Sequence, residues 1–160
     1  MDARGILLFV HVVGFALWFG VTLTLALLAV RANRTGETAA IGFVYRSSSA
    51  LLRGPGLFGM LLTLGSGVAL TAVAGYGFFR PFPNHWLFQM QLLGSIAFLL
   101  ALFIQIPNAE RLARAAEASA AAGENSASFV RFRRRNAIVS SINGVLLLVV
   151  ALLGTVRPGS

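Results

Sequence analysis

GILLFVHVVGFALWFGVTLTLALLAV, residues 5–30, runs for twenty-six residues with a single ionisable side chain, His11. An α-helix rises ~1.5 Å per residue, so ~20 apolar residues cross the ~30 Å hydrocarbon core of a bilayer. The run is predicted to be a transmembrane helix. It exceeds the roughly 7–15-residue apolar core of a cleavable signal peptide and is expected to stay as a mature anchor. Three similar runs follow at about 55–76, 86–106 and 137–156.

Composition agrees with that reading. Hydrophobic residues make up 57% of the chain and charged residues 11%, against about a quarter charged in soluble domains. Lipid is therefore the solvent for most of the surface, and residues 1–160 read as one integral membrane domain. The expected fold is all-α, a four-helix transmembrane bundle running up-down-up-down, with every backbone hydrogen bond satisfied inside its own helix.

The thirteen basic residues are all arginine, and they are unevenly placed. Ten (31, 34, 46, 53, 111, 114, 131, 133, 134 and 135) flank one side of the spans; Arg4, Arg80 and Arg157 flank the other. The positive-inside rule then puts both termini outside and the arginine-rich loops in the cytoplasm. The run Arg131, Arg133, Arg134 and Arg135 reads as a topology signal in contact with anionic headgroups. Arginines confined to membrane flanks imply a lipid partner and no nucleic acid.

The second span opens at Pro55, a residue suited to a first helical turn. Its small residues Gly59, Thr63, Gly67, Thr71 and Gly75 recur every four positions, which lets another backbone come close. That backbone is either the chain's own first helix or a partner, in a larger membrane complex or a homo-oligomer. A turn with Pro81, Pro83 and Asn84 leads to His85 and Trp86 at the head of the third span. Tyr76, Phe78, Phe79 and Trp86 there suggest an interfacial aromatic belt. The third span is expected to stop before Pro107, followed by a cytosolic helical extension over 108–122. Within it Glu110 and Arg114 stand one turn apart.

His11 is the residue that calls for an explanation. It lies about 9 Å along the helix axis from Gly5, and Gly14, Trp18 and Leu25 recur at helical spacing from it. One face thus presents an imidazole, a glycine gap and an indole, where a flat ring would have room. One reading makes His11 an axial ligand of haem b, with Gly14 and Trp18 against the ring. On the same outer side His85 is the candidate second ligand. The other reading has His11 donating a hydrogen bond to Ser, Thr or a carbonyl on a neighbouring helix.

Gln89, Gln91, Gln105, Ser140, Ser141 and Asn143 are the remaining buried-polar candidates, for interhelical bonds or for a path open to a neutral solute. No Asp, Glu, Lys or Arg lies inside a span, which argues against a proton relay or charge-coupled pump. With no cysteine there is no disulfide or thiolate site. No nucleophile stands near a base and an orienting acid, so no catalytic residue is assigned.

The segment HVVGFALWFGVTL at 11–23 resembles helix one of a superfamily of small four-helix bacterial membrane proteins. That group includes copper-resistance D-type proteins, a small four-helix protoporphyrinogen oxidase, and a family of predicted integral membrane proteins of unknown function. The last looks closest: Ser66-Gly67, Trp86-Leu87, FRRRN at 132–136 and Arg157-Pro158 match its pattern. The resemblance implies a bacterial inner-membrane location, and from the oxidase it implies haem at His11. A lysine in helix three matters in the oxidase, whereas this chain has no lysine and carries Gln89, Met90 and Gln91 in that region. A lone helix histidine with only Met1, Met60 and Met90 is a poor copper site. Three functions stand as expectations: an accessory or stand-alone bundle without catalysis, a haem b protein, and a transporter of a neutral or hydrophobic solute.

Overall fold

A computed structural model describes residues 2–82 and 85–157. Pro83 and Asn84 of the anticipated turn, Pro158 of the basic-proline ending and Met1 lie outside the described residues. Four helices, each long and apolar enough to cross a membrane, account for nearly all the rest: α1 (Ala3–Thr35), α2 (Thr38–Val73), α3 (His85–Ala122) and α4 (Ala127–Val156). No strand occurs among the described residues. All four spans and the all-α bundle are as the sequence reading expects.

The helix ends follow local chemistry. The Asp2 carboxylate accepts the Gly5 N–H at 2.8 Å, and the Ser126 hydroxyl accepts the Phe129 N–H at 3.2 Å, each satisfying an N–H that has no intrahelical partner. Gly36 (φ 73°) ends α1 and Gly123 (φ 74°) ends α3. Both are in the left-handed region, where glycine carries no Cβ penalty.

The helices outrun the bilayer. At ~1.5 Å per residue the 33 residues of α1 reach ~50 Å and the 38 of α3 reach ~57 Å, well beyond ~30 Å of hydrocarbon. The excess lies mostly at the arginine-rich end, which corrects two expected boundaries. The stretch anticipated as a first loop is helical from Thr38. Ile41 and Tyr45, one turn apart, are buried there, while Arg46 on the next position is exposed, so an amphipathic turn pattern overrides the loop-like Ser47–Ser49. Likewise α4 begins at Ala127, so the arginine run sits inside its first turns.

The prolines also behave differently from expectation. Pro55 does not start a helix but lies in a π-helical segment, Leu52–Gly56, inside α2. Pro107 does not end α3, since it follows a second π segment, Ala101–Gln105, and occupies the first turn of the helix beyond it. An interior proline has no N–H to donate and crowds the carbonyl four residues back; locally widened turns absorb that conflict without breaking the helix.

Two apolar clusters hold the bundle. Within the membrane spans Trp18, Leu52, Met60, Ala97, Ala101 and Leu147 pack together. At the arginine-rich end Ala32, Ile41, Tyr45, Leu112, Ala116 and Phe129 form a second core. There the first part of α2 runs antiparallel to the last part of α3: Gly42 faces Ala116 and Ala120, Arg46 pairs with Glu117, and Arg53 pairs with Glu110. Glu110 therefore serves α2 and not Arg114, because the antiparallel register brings Arg53 to it.

In the membrane α1 and α2 meet backbone to backbone. A Cβ on Gly59 would stand 2.8 Å from the Gly14 carbonyl oxygen and from the Trp18 nitrogen, and one on Gly14 would stand 2.8 Å from the Thr63 nitrogen. The glycine gap at Gly14 is filled by the second helix of the same chain.

Candidate functional site

Close packing between α1 and α2 brings His11 against the middle of α2. Its Nδ1 lies 2.9 Å from the Thr63 carbonyl oxygen and 3.2 Å from the Ser66 hydroxyl. A carbonyl can only accept, so in the neutral ring Nδ1 carries the proton and Nε2 keeps its lone pair. Ser66 is tied in turn to the Leu62 carbonyl. Gly67 makes room for the ring, since a Cβ there would sit 3.0 Å from His11 Cε1. Nε2 has no hydrogen-bond partner among the described residues.

Around this histidine the bundle opens into a cavity of about 200 Å³ between α1, α2, α3 and α4. In the membrane α2 and α3 hardly touch, so the space between them stays unfilled. Phe15 and Trp18 from α1, Val68 from α2, Phe98 from α3 and Leu147 and Val150 from α4 make the walls apolar. Gly94 also lines it, and nothing lies within 4 Å of where its Cβ would be.

The outer rim is built by Gln91. Its Oε1 accepts the Phe79 N–H at 2.7 Å and its Nε2 donates to Thr71 Oγ1 at 3.3 Å, which itself donates to the Gly67 carbonyl at 2.9 Å. Phe79 is held at φ 51°, an unusual conformation for a bulky residue that persists only where neighbours impose it. Phe78 and Phe79, anticipated as part of an interfacial belt, thereby line the cavity mouth.

The other sequence candidates scatter. His85 is exposed, packs edge-on to Phe82 with ring centroids 4.6 Å apart, and does not line the cavity. Thr71 joins the Gln91 network. Gly75 lies past the end of α2 at φ 71°. Gln105 donates to Ser140 at 3.3 Å and accepts from Asn143 at 3.1 Å, an interhelical clasp of the kind expected of buried amides. Gln89 and Ser141 are exposed, so Gln89, Ser140 and Asn143 do not share one polar path. Arg133 turns inward to Asn33, whereas Arg131, Arg134 and Arg135 are exposed. The sequence reading missed Gly94, Gln91 and Phe98 as one wall; their spacing of three and four marks a helical face, visible once its glycine is read as a gap.

Haem b at His11 meets half of what it requires. An imidazole with Nδ1–H on a backbone carbonyl and a bare Nε2 is how a ligating histidine is held. The space, however, falls below the ~300–1,000 Å³ of sites for drug-sized ligands, and a porphyrin needs more than the cavity offers. Among the described residues no second histidine lines the cavity, His85 lying elsewhere; Met90 lines it, with its sulfur 3.2 Å from where a Gly154 Cβ would be. The residues do not fit the macrocycle.

No curated protein and no solved structure matches the chain. A family described as predicted integral membrane protein (DUF2269) matches residues 5–158. With four membrane-length helices packed as one bundle and nearly the whole chain covered by that match, the protein belongs to this family of integral membrane proteins.

Proposed function

We propose that this protein is a stand-alone membrane bundle that holds a small, largely apolar molecule in the cavity beside His11. The occupant carries one hydrogen-bond donor, a hydroxyl being the simplest, directed to His11 Nε2. One observation carries the reading: a ring nitrogen with a free lone pair belongs to a residue lining a largely apolar cavity, whose other polar side chains are Thr63, Thr71, Gln91 and Ser95. That lone pair has no donor among the described residues, and a ligand hydroxyl would supply one, worth ~0.5–1.5 kcal/mol net. Flat aromatic walls suit a flat molecule that partitions from lipid between α2 and α3.

The small-residue face of α2 had pointed equally to a partner subunit. Gly59 and Thr63 face α1 of the same chain and Gly67 faces His11, so that feature is accounted for without one. The arginine bias supports a reading in which the basic end faces the cytoplasm of a bacterial inner membrane and the cavity lies in the outer half. The role is binding, with no catalytic step assigned.

The test uses 1-naphthol and naphthalene as probes in detergent, with Trp18 fluorescence as the readout in a Trp86→Phe background. Naphthol should quench Trp18 saturably and bind about tenfold tighter than naphthalene, the worth of one buried hydrogen bond. A His11→Leu variant should bind the two equally. Equal affinities in the unmutated site would overturn the proposal.

A further inference from the structure

The arginine run divides by helical geometry into one structural residue and three that face outward. Arg133 donates to Asn33 Oδ1 at 3.0 Å and lies over the Phe129 ring at 5.3 Å. Asn33 passes the link to the Tyr45 hydroxyl at 2.8 Å. Arg131, Arg134 and Arg135 stand at i, i+3 and i+4, the spacing of one helix face, and all three are exposed. Arg46 and Arg53 nearby each have a glutamate. Arg131, Arg134 and Arg135 have no ion-pair partner among the described residues.

Apolar side chains share that face. Val130 is 45% exposed and Ile138 is 52% exposed, and with the arginines they line a shallow groove along α4. The position along the membrane normal matters. Ile138 belongs to the apolar span that begins about residue 137, so Arg135 and Arg131 stand ~5–10 Å above it at ~1.5 Å per residue. That is the headgroup layer.

We propose that Arg131, Arg134 and Arg135 bind the phosphate of an anionic phospholipid, whose acyl chain lies along Ile138. Arg133, one residue away, takes no part. Three guanidiniums offer forked donors to phosphate oxygens, and the exposed aliphatic side chains cover the first carbons of the chain. The charge excess on this face is complementary to a lipid monoanion, and the adjoining apolar stripe selects a lipid over a free anion. The site is independent of the His11 cavity.

Thermal unfolding of the purified protein in neutral detergent tests this, with short-chain phosphatidylglycerol, short-chain phosphatidylcholine and inorganic phosphate as added probes. Phosphatidylglycerol should raise the midpoint saturably while the other two leave it unchanged. Each arginine changed to glutamine should weaken that response about fivefold, as expected for one arginine near an anionic surface. The triple change R131Q/R134Q/R135Q should abolish it. R133Q should lower the starting midpoint yet keep the lipid response. If the triple glutamine variant fails to fold, the triple lysine variant, which retains charge, should keep a weakened response. Equal shifts with phosphatidylcholine, a shift from phosphate alone, or an undiminished response in the triple variant would each overturn the site.

Discussion

At the arginine-rich end the helix ends close around Phe129, which is 0% exposed, with Tyr45 edge-on at 5.7 Å and Asn33 joining Tyr45 to Arg133. At the histidine end, in the same four helices, α2 and α3 part and leave a largely apolar cavity lined by His11 with its unpartnered Nε2. The contrast separates two tasks. The end that projects into water is packed to density and fixes the register of all four helices. Within the spans the packing is incomplete beside His11, where the cavity lies.

The largest effect is expected where packing is complete. Phe129→Ala should cost ~3–5 kcal/mol of stability, the usual range for an emptied aromatic site, read as a lowered thermal midpoint in detergent. Phe98→Ala, half-buried at the cavity, should cost less than half as much. Similar losses at the two sites would break the comparison.

Next in size is the helix crossing that joins the two ends. Gly59→Ala places a methyl 2.8 Å from backbone atoms of α1, and since backbone cannot swing aside the helices must separate, at ~1–3 kcal/mol. Crosslinking between α1 and α2 should fall in parallel. Gly65 on the same helix meets nothing within 4 Å, and Gly65→Ala should be neutral or stabilising.

Smaller again is the arginine division. Arg133→Gln should cost ~0.5–1.5 kcal/mol as one part-buried hydrogen bond is lost, whereas Arg134→Gln should stay within ~0.5 kcal/mol, as for surface positions generally. Both follow from chemical denaturation in detergent without added lipid.

The four spans were legible because transmembrane length and apolarity are properties of a run, independent of what each residue touches. The helical ends beyond the membrane were less so. Thr38–Leu51 carries only a short amphipathic stripe, and Ser47–Ser49 reads as loop until Ser48 is seen bonding the Val44 carbonyl at 2.7 Å. At Pro55 and Pro107 the boundary rules for proline fail because they assume a regular α-helix, and π segments relieve the clash those rules rely on. Of the site, His11 and Trp18 were visible as residues out of place in an apolar run. Gly14 was read as space for a ligand, but it is space for α2. Which glycines face a helix and which face a void is decided by the crossing of α1 over α2, and no periodicity within one helix encodes it.

The smallest effect on stability falls at Gly94, and it bears on function most directly. Leucine there projects into open space, so the fold should be unchanged or gain up to ~1 kcal/mol from helix propensity. The decisive measurement is naphthol titration against Trp18 fluorescence in the original chain and in Gly94→Leu. Saturable quenching is expected in the first and none in the second at equal thermal stability. Equal quenching in both would show that the cavity beside His11 is not where the molecule binds.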